Sequence, residues 1–255
     1  MDGAGLGVQP AVRTRGLKGK GRELSQLRVL AFVWALLATT AAPAGAEDSS
    51  KLDPSTAPVD PKIQVSLGDS WTYDLRDDVT GDLKGSVAFE VTKVTDGEIE
   101  TRTTRQMSTT NAKTTAVQRF DARWRRTDNG KYVWRPHLDT SGVPDDLRVG
   151  KSWSFKFEAL RKGSAQTEEY AGVGKVEAWE RVTLPSGAAY DAFKIDVADT
   201  QTSGLAGRKH ENHAVMWFAP AVNRLVKMID ESRDNGKLRD ATEQTLREYK
   251  PAARM

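Results

Sequence analysis

The histidine cluster is the first set of residues whose types and spacing could do chemistry. His210-Glu211-Asn212-His213 places its imidazoles at i and i+3, whereas a zinc-protease helix needs His-Glu-x-x-His with both imidazoles on one face. In an extended chain, positions 210 and 213 point to opposite faces. The pattern therefore favours a solvated loop that leads into a strand. We expect no metal site and no cofactor.

Acids and nucleophiles form no recognisable catalytic set. The carboxylate pairs Asp77-Asp78, Asp145-Asp146 and Glu168-Glu169 lie in turns or polar runs, where solvated charges are the ordinary occupants. No serine has the strand, elbow and helix context that a catalytic serine requires. We therefore expect a protein that is not an enzyme, and an exported hydrolase is the least favoured of three functions.

A basic run, RFDARWRR, occupies residues 119–126. In a strand, Arg119, Arg123 and Arg125 share one face. Because guanidinium forks suit phosphate, these three residues are a candidate anion strip for lipid headgroups or phosphorylated glycans. The alternative, which we favour, is an exposed strand face that deters edge-to-edge pairing.

Aromatic side chains in strand-like segments are the candidate ligand contacts. The five residues are Trp71, Tyr73, Trp124, Trp153 and Trp217. A filled core would bury them, which is the default for such side chains. A curved half-barrel could instead leave some of them lining a cavity for an apolar or lipid ligand.

The elements that must position these side chains are organised around a nine-residue stretch that occurs twice. Residues 67–75 read LGDSWTYDL and residues 149–157 read VGKSWSFKF. Both copies place aromatic and apolar residues at alternate positions after a glycine, which is typical of a half-buried strand. Residues 237–249 contain good helix formers, but the Asn235-Gly236 turn before them favours a strand.

Period-two alternation and close turns continue from residue 62 to residue 250 and predict an all-β fold. We expect one β domain over residues 62–250, built as an antiparallel meander that is internally duplicated, with halves at about 62–139 and 146–250. Many short strands with close turns imply a curved half-barrel or a sandwich.

Residues 1–46 have the order of a signal peptide, with a basic lead-in, an apolar run and Ala44-Gly45-Ala46. We expect a signal helix, cleavage near Ala46, and a periplasmic or secreted protein that does not span the membrane. The apolar run is followed by no cysteine, so a lipoprotein anchor is not expected. The polar, proline-rich residues 47–61 predict a flexible linker.

The charge of the chain changes when this segment is removed. Residues 1–46 hold 6 of the 38 Lys+Arg and 2 of the 35 Asp+Glu, which leaves 32 against 33 and a net charge of −1. Overall basicity therefore gives no support to nucleic-acid binding.

Residues 177–250 resemble the TapB-like group of exported, β-rich bacterial proteins, a largely uncharacterised group. The resemblance rests on Glu180-x-Val182-Thr183-Leu184-Pro185-Ser186-Gly187, on Phe193-Lys194-Ile195, on Trp217-Phe218-Ala219-Pro220-x-Val222 with Leu225-Val226-Lys227, and on Leu246-x-Glu248-Tyr249-Lys250. It implies an antiparallel sheet and a periplasmic or cell-surface location, and it supplies no catalytic residues.

These observations lead to one expectation for function and one alternative. We expect an exported, non-enzymatic β protein that binds a lipid or another cell-envelope component. The alternative is a structural or assembly partner of an envelope protein at the cell surface, acting through exposed strand edges.

Overall fold

A computed structural model describes residues 49–203 and 209–253 as an antiparallel β structure. Three short 3₁₀ turns accompany the strands, at Pro54–Thr56, Asp139–Ser141 and Pro220–Val222. The thirteen strands of this part of the chain are β1 Ser49–Lys51, β2 Ser70–Asp77, β3 Leu83–Thr95, β4 Glu98–Met107, β5 Lys113–Asp121, β6 Arg126–Asp128, β7 Tyr132–Leu138, β8 Ser152–Arg161, β9 Thr167–Thr183, β10 Ala189–Ser203, β11 His210–Ala219, β12 Arg224–Asp234 and β13 Lys237–Lys250.

The strands β2 to β13 form a closed barrel of twelve strands. Each strand pairs with its neighbour in the sequence, and the last strand pairs with the first, with Tyr249 opposite Trp71. The all-β antiparallel meander predicted from the sequence is confirmed, whereas the half-barrel and the sandwich are wrong. Closure pairs residues of β13 and β2 that lie between 165 and 180 positions apart in the sequence. Alternation within a strand cannot reveal such a pairing, which removes two open edges.

Both copies of the repeated stretch are strands that begin just after a turn glycine. Gly68 has φ +91° and Gly150 has φ +85°, a left-handed conformation that glycine adopts without the strain of a Cβ. In β2 every second residue is buried, beginning with Trp71. Trp153 begins the corresponding row in β8 but is only partly buried. Duplication of the two halves remains a prediction.

Residues 237–250 form a strand, as the Asn235-Gly236 turn predicted. This strand, β13, pairs with β12 on one side and with β2 on the other. Tertiary pairing on both sides therefore outweighs the local helix propensity.

The basic run at 119–126 is not one strand, which corrects the interpretation that placed its arginines on a common face. β5 ends at Asp121, whose carboxylate accepts the backbone N–H groups of Arg123 at 2.8 Å and Arg125 at 2.9 Å. Trp124 lies in the turn with φ +63°, a conformation that is strained for a bulky residue. Arg119 therefore lies on β5, whereas Arg123 and Arg125 lie beyond its end and both reach the carboxylate of Asp145.

The structure describes residues 49–61 of the segment that was predicted to be a flexible linker, and it places them against the barrel. β1 pairs with β9, and Leu52 and Ala57 contact a buried cluster. Asp60 accepts the backbone N–H of Leu147 at 3.2 Å. Polar composition alone did not reveal these long-range contacts. The predicted signal helix at 1–46 and its cleavage site lie outside the described residues.

No helix in residues 49–203 and 209–253 has the length and apolar character that a membrane crossing requires.

Buried apolar side chains form two large clusters and one small cluster. The first includes Trp71, Phe89 and Phe120, and the second includes Phe193 and Ile195. The small third cluster contains Phe157, Ala159 and Tyr170, with Trp134 and Leu138 packed against it. The third cluster borders a cavity, so the barrel is filled by apolar side chains only in part.

Candidate ligand cavity of the barrel

The first cavity has a volume of about 420 Å³ and is partly open to solvent. Four aromatic residues supply much of its wall: Tyr132, Trp134, Phe157 and Tyr170. The rings of Phe157 and Tyr170 are stacked, with centroids 4.9 Å apart. The centroids of Tyr132 and Trp134 lie 6.0 Å apart. An aromatic wall of this kind suits a flat or aliphatic ligand surface.

Strand alternation places these rings on the cavity. Phe157 and Ala159 continue the row that starts at Trp153 in β8, and Phe157 lies directly opposite Tyr170 in β9. Paired positions on one face of adjacent strands bring their side chains together. The register between β8 and β9 therefore creates the stacked pair.

A buried carboxyl group lies beside the first cavity. Asp199 follows Ile195 and Val197 on the inward face of β10 and is 3% exposed. Its Oδ1 accepts the side-chain N–H of Asn212 at 2.8 Å, whereas its Oδ2 is buried without a partner. Burial raises the pKa of this carboxyl from 3.8 to about 6, because a desolvated carboxylate is disfavoured.

A second carboxyl group, that of Asp230, lines the first cavity directly. Asp230 is exposed to solvent, yet the protein atoms around its carboxyl group desolvate it in part and raise its pKa to about 6. The nearby guanidinium of Arg126 opposes the shift. Asp230 is therefore a carboxyl group of the cavity lining with a pKa above that of a free aspartate.

His210 and Tyr170 add further polar groups to the lining of the first cavity. The Nδ1 atom of His210 lies 2.8 Å from Asp234 Oδ1, and the hydroxyl of Tyr170 donates to Glu168 Oε2 at 3.0 Å. Burial, followed by the Glu168 carboxylate, raises the pKa of Tyr170, so this hydroxyl is a proton donor at neutral pH. His213, as its spacing predicted, points away from His210 and contacts Asp196.

A second cavity of about 220 Å³ adjoins the first. The two share three lining residues, which are Leu138, Thr140 and Asp230. The second cavity differs in charge, since Arg105, Arg126 and Arg224 all border it.

Arg224 is 7% exposed and lies in a cage of aromatic rings. Its Cζ lies 3.9 Å from the ring centroid of Trp124 and 4.2 Å from that of Phe89. Trp71 and Phe120 complete the cage, each with its centroid 5.4 Å away. Burial lowers the pKa of the guanidinium, which is held here by cation–π contacts.

Among the predicted ligand contacts, Trp124 alone borders either of these two cavities. Trp71 and Tyr73 are fully buried in the first cluster, where Trp71 and Trp124 make an edge contact at 5.4 Å. Trp153 packs with the second cluster. Trp217 is 7% exposed and donates its Nε1–H to Glu180 Oε2 at 2.9 Å. The structure therefore brings Trp71, Tyr73, Trp124 and Trp217 into the first cluster and leaves Trp153 with the second.

Each arginine of the predicted anion strip already pairs with a carboxylate, and Arg123 and Arg125 share that of Asp145. Arg119 pairs with Glu100 at 3.1 Å, and Arg125 pairs with Asp121 at 2.7 Å. Arg123 pairs with Asp60 at 2.8 Å. An external anion would have to compete with these carboxylates.

Sequence reasoning did not identify the aromatic wall, Asp199, Asp230 or Arg224 as site residues. Alternation gave a signal for the wall, because Phe157 continues the face of Trp153. No local pattern distinguishes Asp230 or Arg224 from solvent-facing charges in a strand, since their surroundings come from strands distant in sequence.

The described residues contain no group of three or more His, Asp or Glu side chains that could hold a metal ion.

Comparisons with known proteins show a similarity of fold only. No family model matches the chain, and no curated protein matches it. A crystal structure described as a "putative lipoprotein" from Parabacteroides distasonis is 14% identical, with a TM-score of 0.50 over 76% of this chain and 100% of that chain.

Two further structures are similar at lower scores. A protein from Bacteroides fragilis described as a "putative exported protein with YmcC-like fold" is 14% identical, with a TM-score of 0.48 over 74% of this chain and 98% of that chain. The hypothetical lipoprotein YmcC from Escherichia coli is 12% identical, with a TM-score of 0.40 over 74% and 91%. None of the three is described as TapB-like, so that resemblance remains a prediction. The chain shares a β fold with the Parabacteroides distasonis protein.

Proposed function

We propose that this chain is an exported, non-enzymatic binding protein that holds a lipid or another amphiphilic envelope component in the first cavity. The observation that carries the proposal is the aromatic wall around about 420 Å³ of space, which lies beside two packed clusters of apolar side chains. A packed interior has few voids larger than a water molecule. A space of this size lies in the range of small-molecule sites.

Export is supported by the order of residues 1–46, which is basic, then apolar, then small at Ala44-Gly45-Ala46. The Parabacteroides distasonis protein of similar fold is described as a "putative lipoprotein". We place this chain in the periplasm or outside the cell, within an uncharacterised exported β-rich group. Detection of the processed chain in the periplasmic fraction would test this location.

The proposal is tested by uptake of N-phenyl-1-naphthylamine, a neutral dye that fluoresces in apolar surroundings. Ala159 is buried in the wall of the cavity, so A159F places a ring in the space. We expect the full-length protein to take up the dye, and A159F to bind it at least tenfold more weakly. Equal uptake by the two proteins would contradict the proposal.

A matched control separates cavity filling from a general effect of a new ring. Ala88 lies in β3 between the inward-facing Val87 and Phe89, so its side chain faces outward. A88F should take up the dye as the unaltered protein does. Near-ultraviolet circular dichroism should show that both variants keep their tertiary structure.

The raised pKa values of Asp199 and Asp230 favour one second candidate, an exported hydrolase with carboxyl acid–base groups. Hydrolysis of p-nitrophenyl esters and glycosides separates the two functions. The binding proposal expects no turnover above that of the D199N variant. Turnover that D199N and D230N abolish would support the hydrolase instead.

The cell-surface assembly function has no comparable support, because barrel closure pairs the edges of β2 and β13 with each other.

A further inference from the structure

Arg224 is a buried cation without a neutralising partner among the described residues. Its Nη1 atom is buried and has no hydrogen-bond partner, and none of the described carboxylates lies within ion-pair distance of it. The Tyr73 hydroxyl hydrogen-bonds the guanidinium and donates to the carbonyl of Leu225 at 2.8 Å, but it is a neutral group and does not balance the charge. Buried charges in proteins are ordinarily paired, since desolvation without pairing costs several kcal/mol.

Arg126 presents a second guanidinium to the same space. Its Nε is also buried without a hydrogen-bond partner. Its Cζ lies 5.6 Å from the centroid of Phe120, and Arg224 Cζ lies 5.4 Å from that same ring. Burial and the charge of Arg224 lower the pKa of Arg126 to about 10, so Arg126 remains cationic at neutral pH. Arginine side chains in proteins ordinarily keep their charge.

The carboxylates around the second cavity do not balance these cations. Asp240 borders the cavity but pairs with Lys84 at 3.0 Å. Asp230 is the other acid in the lining, and Arg105 adds a third guanidinium. The positive charge therefore exceeds the negative charge that is free to meet it.

We propose that the second cavity is an oxyanion site, in which Arg224 and Arg126 receive a carboxylate or phosphate group. Guanidinium N–H groups match the oxygens of both anions. The site goes beyond the function proposed above, because it does not require a ligand in the first cavity. The shared boundary at Leu138, Thr140 and Asp230 also lets one amphiphile place its acidic head at the arginines and its apolar body against the aromatic wall.

The test uses the thermal midpoint of the full-length protein at constant ionic strength. The ligands are dodecanoate below its micelle concentration, inorganic phosphate, acetate, and dodecyltrimethylammonium as a cation of equal chain length. A thermal midpoint that rises with dodecanoate alone indicates that the site binds the acidic head of an amphiphile. A thermal midpoint that rises with phosphate or acetate indicates that the site binds a free anion. No rise with any anion, or an equal rise with the cation, would overturn the proposal.

Variants at the arginine make the test specific. R224M keeps an unbranched side chain inside the aromatic cage but removes the charge, and it should weaken anion binding at least tenfold. R224K should retain part of the binding. The control R102M removes an exposed arginine that pairs with Glu90 at 2.6 Å and should bind as the unaltered protein does. Unchanged anion binding in R224M would also overturn the proposal.

The two proposals fail separately. Dye uptake that A159F abolishes, without any anion effect, would leave the binding function and remove the oxyanion site. If anions raise the thermal midpoint and R224M abolishes that rise, but the protein takes up no dye, the oxyanion site stands and the proposed binding function of the first cavity fails.

Discussion

Replacing Asp199 with asparagine should stabilise the protein at neutral pH. The folded-state pKa of this acid is raised from 3.8 to about 6. Between pH 3.8 and about pH 6, Asp199 binds a proton more readily in the folded chain than in the unfolded chain. The contribution of Asp199 to stability therefore falls as pH rises through this window. At pH 7.5 the carboxylate therefore costs about 3 kcal/mol, at 1.36 kcal/mol per pKa unit.

The asparagine side chain removes this cost and introduces a smaller one. Its oxygen can still accept the N–H of Asn212, which is 2.8 Å from Asp199 Oδ1 in the present structure. Its amide nitrogen takes the place of the unpartnered Oδ2, and an unpaired neutral donor costs about 1 kcal/mol. The net gain at pH 7.5 is then about 2 kcal/mol.

Urea unfolding of D199N and the unaltered protein at pH 7.5 and pH 4 measures this gain. We expect about 2 kcal/mol at pH 7.5, or a rise of about 4–8 °C in Tm, and little or no gain at pH 4. The charged neighbours that act on the pKa of Asp199 are His210, Asp230 and Asp139. The exposed control D96N should change stability by less than about 0.5 kcal/mol at either pH. A loss of stability in D199N at pH 7.5, or a gain of the same size at both pH values, would refute the reasoning.

Two further variants test packing outside the cavity. E180A leaves the buried Trp217 Nε1–H without its acceptor, so the free energy of unfolding should fall by about 1–3 kcal/mol. The variant E180Q keeps an acceptor oxygen and should lose less stability. An equal loss in both variants would contradict this account. G174V adds a side chain where Trp153 already packs, so we expect a loss of about 1–3 kcal/mol and a changed tryptophan emission spectrum. Unaltered stability and emission in G174V would show that Trp153 does not pack there.

Local patterns in the sequence were enough to predict the strands. Alternation from Trp71 onward identified β2, and the Asn235-Gly236 turn identified the start of β13. These features depend on residues within a few positions of each other, where strand geometry and turn chemistry act directly.

Closure and the site depend on contacts that local patterns do not contain. The register of β13 against β2 joins the two ends of the domain. Arg224 lies in its cage because β2, β3 and β5 supply the rings around it. Arg119, Arg123 and Arg125 form no common face, because Asp121 folds the chain into a turn between them. In each case a distant or folded-back segment decides what a side chain meets.

The most direct test of a ligand-binding barrel is a crystal structure of the full-length protein grown with 12-bromododecanoate. The account predicts an anomalous bromine peak within the first cavity, against the wall formed by Trp134 and Tyr170, and the carboxylate within hydrogen-bond distance of Arg224. A bromine peak confined to the outer surface of the barrel, with the cavity closed by protein side chains, would contradict it.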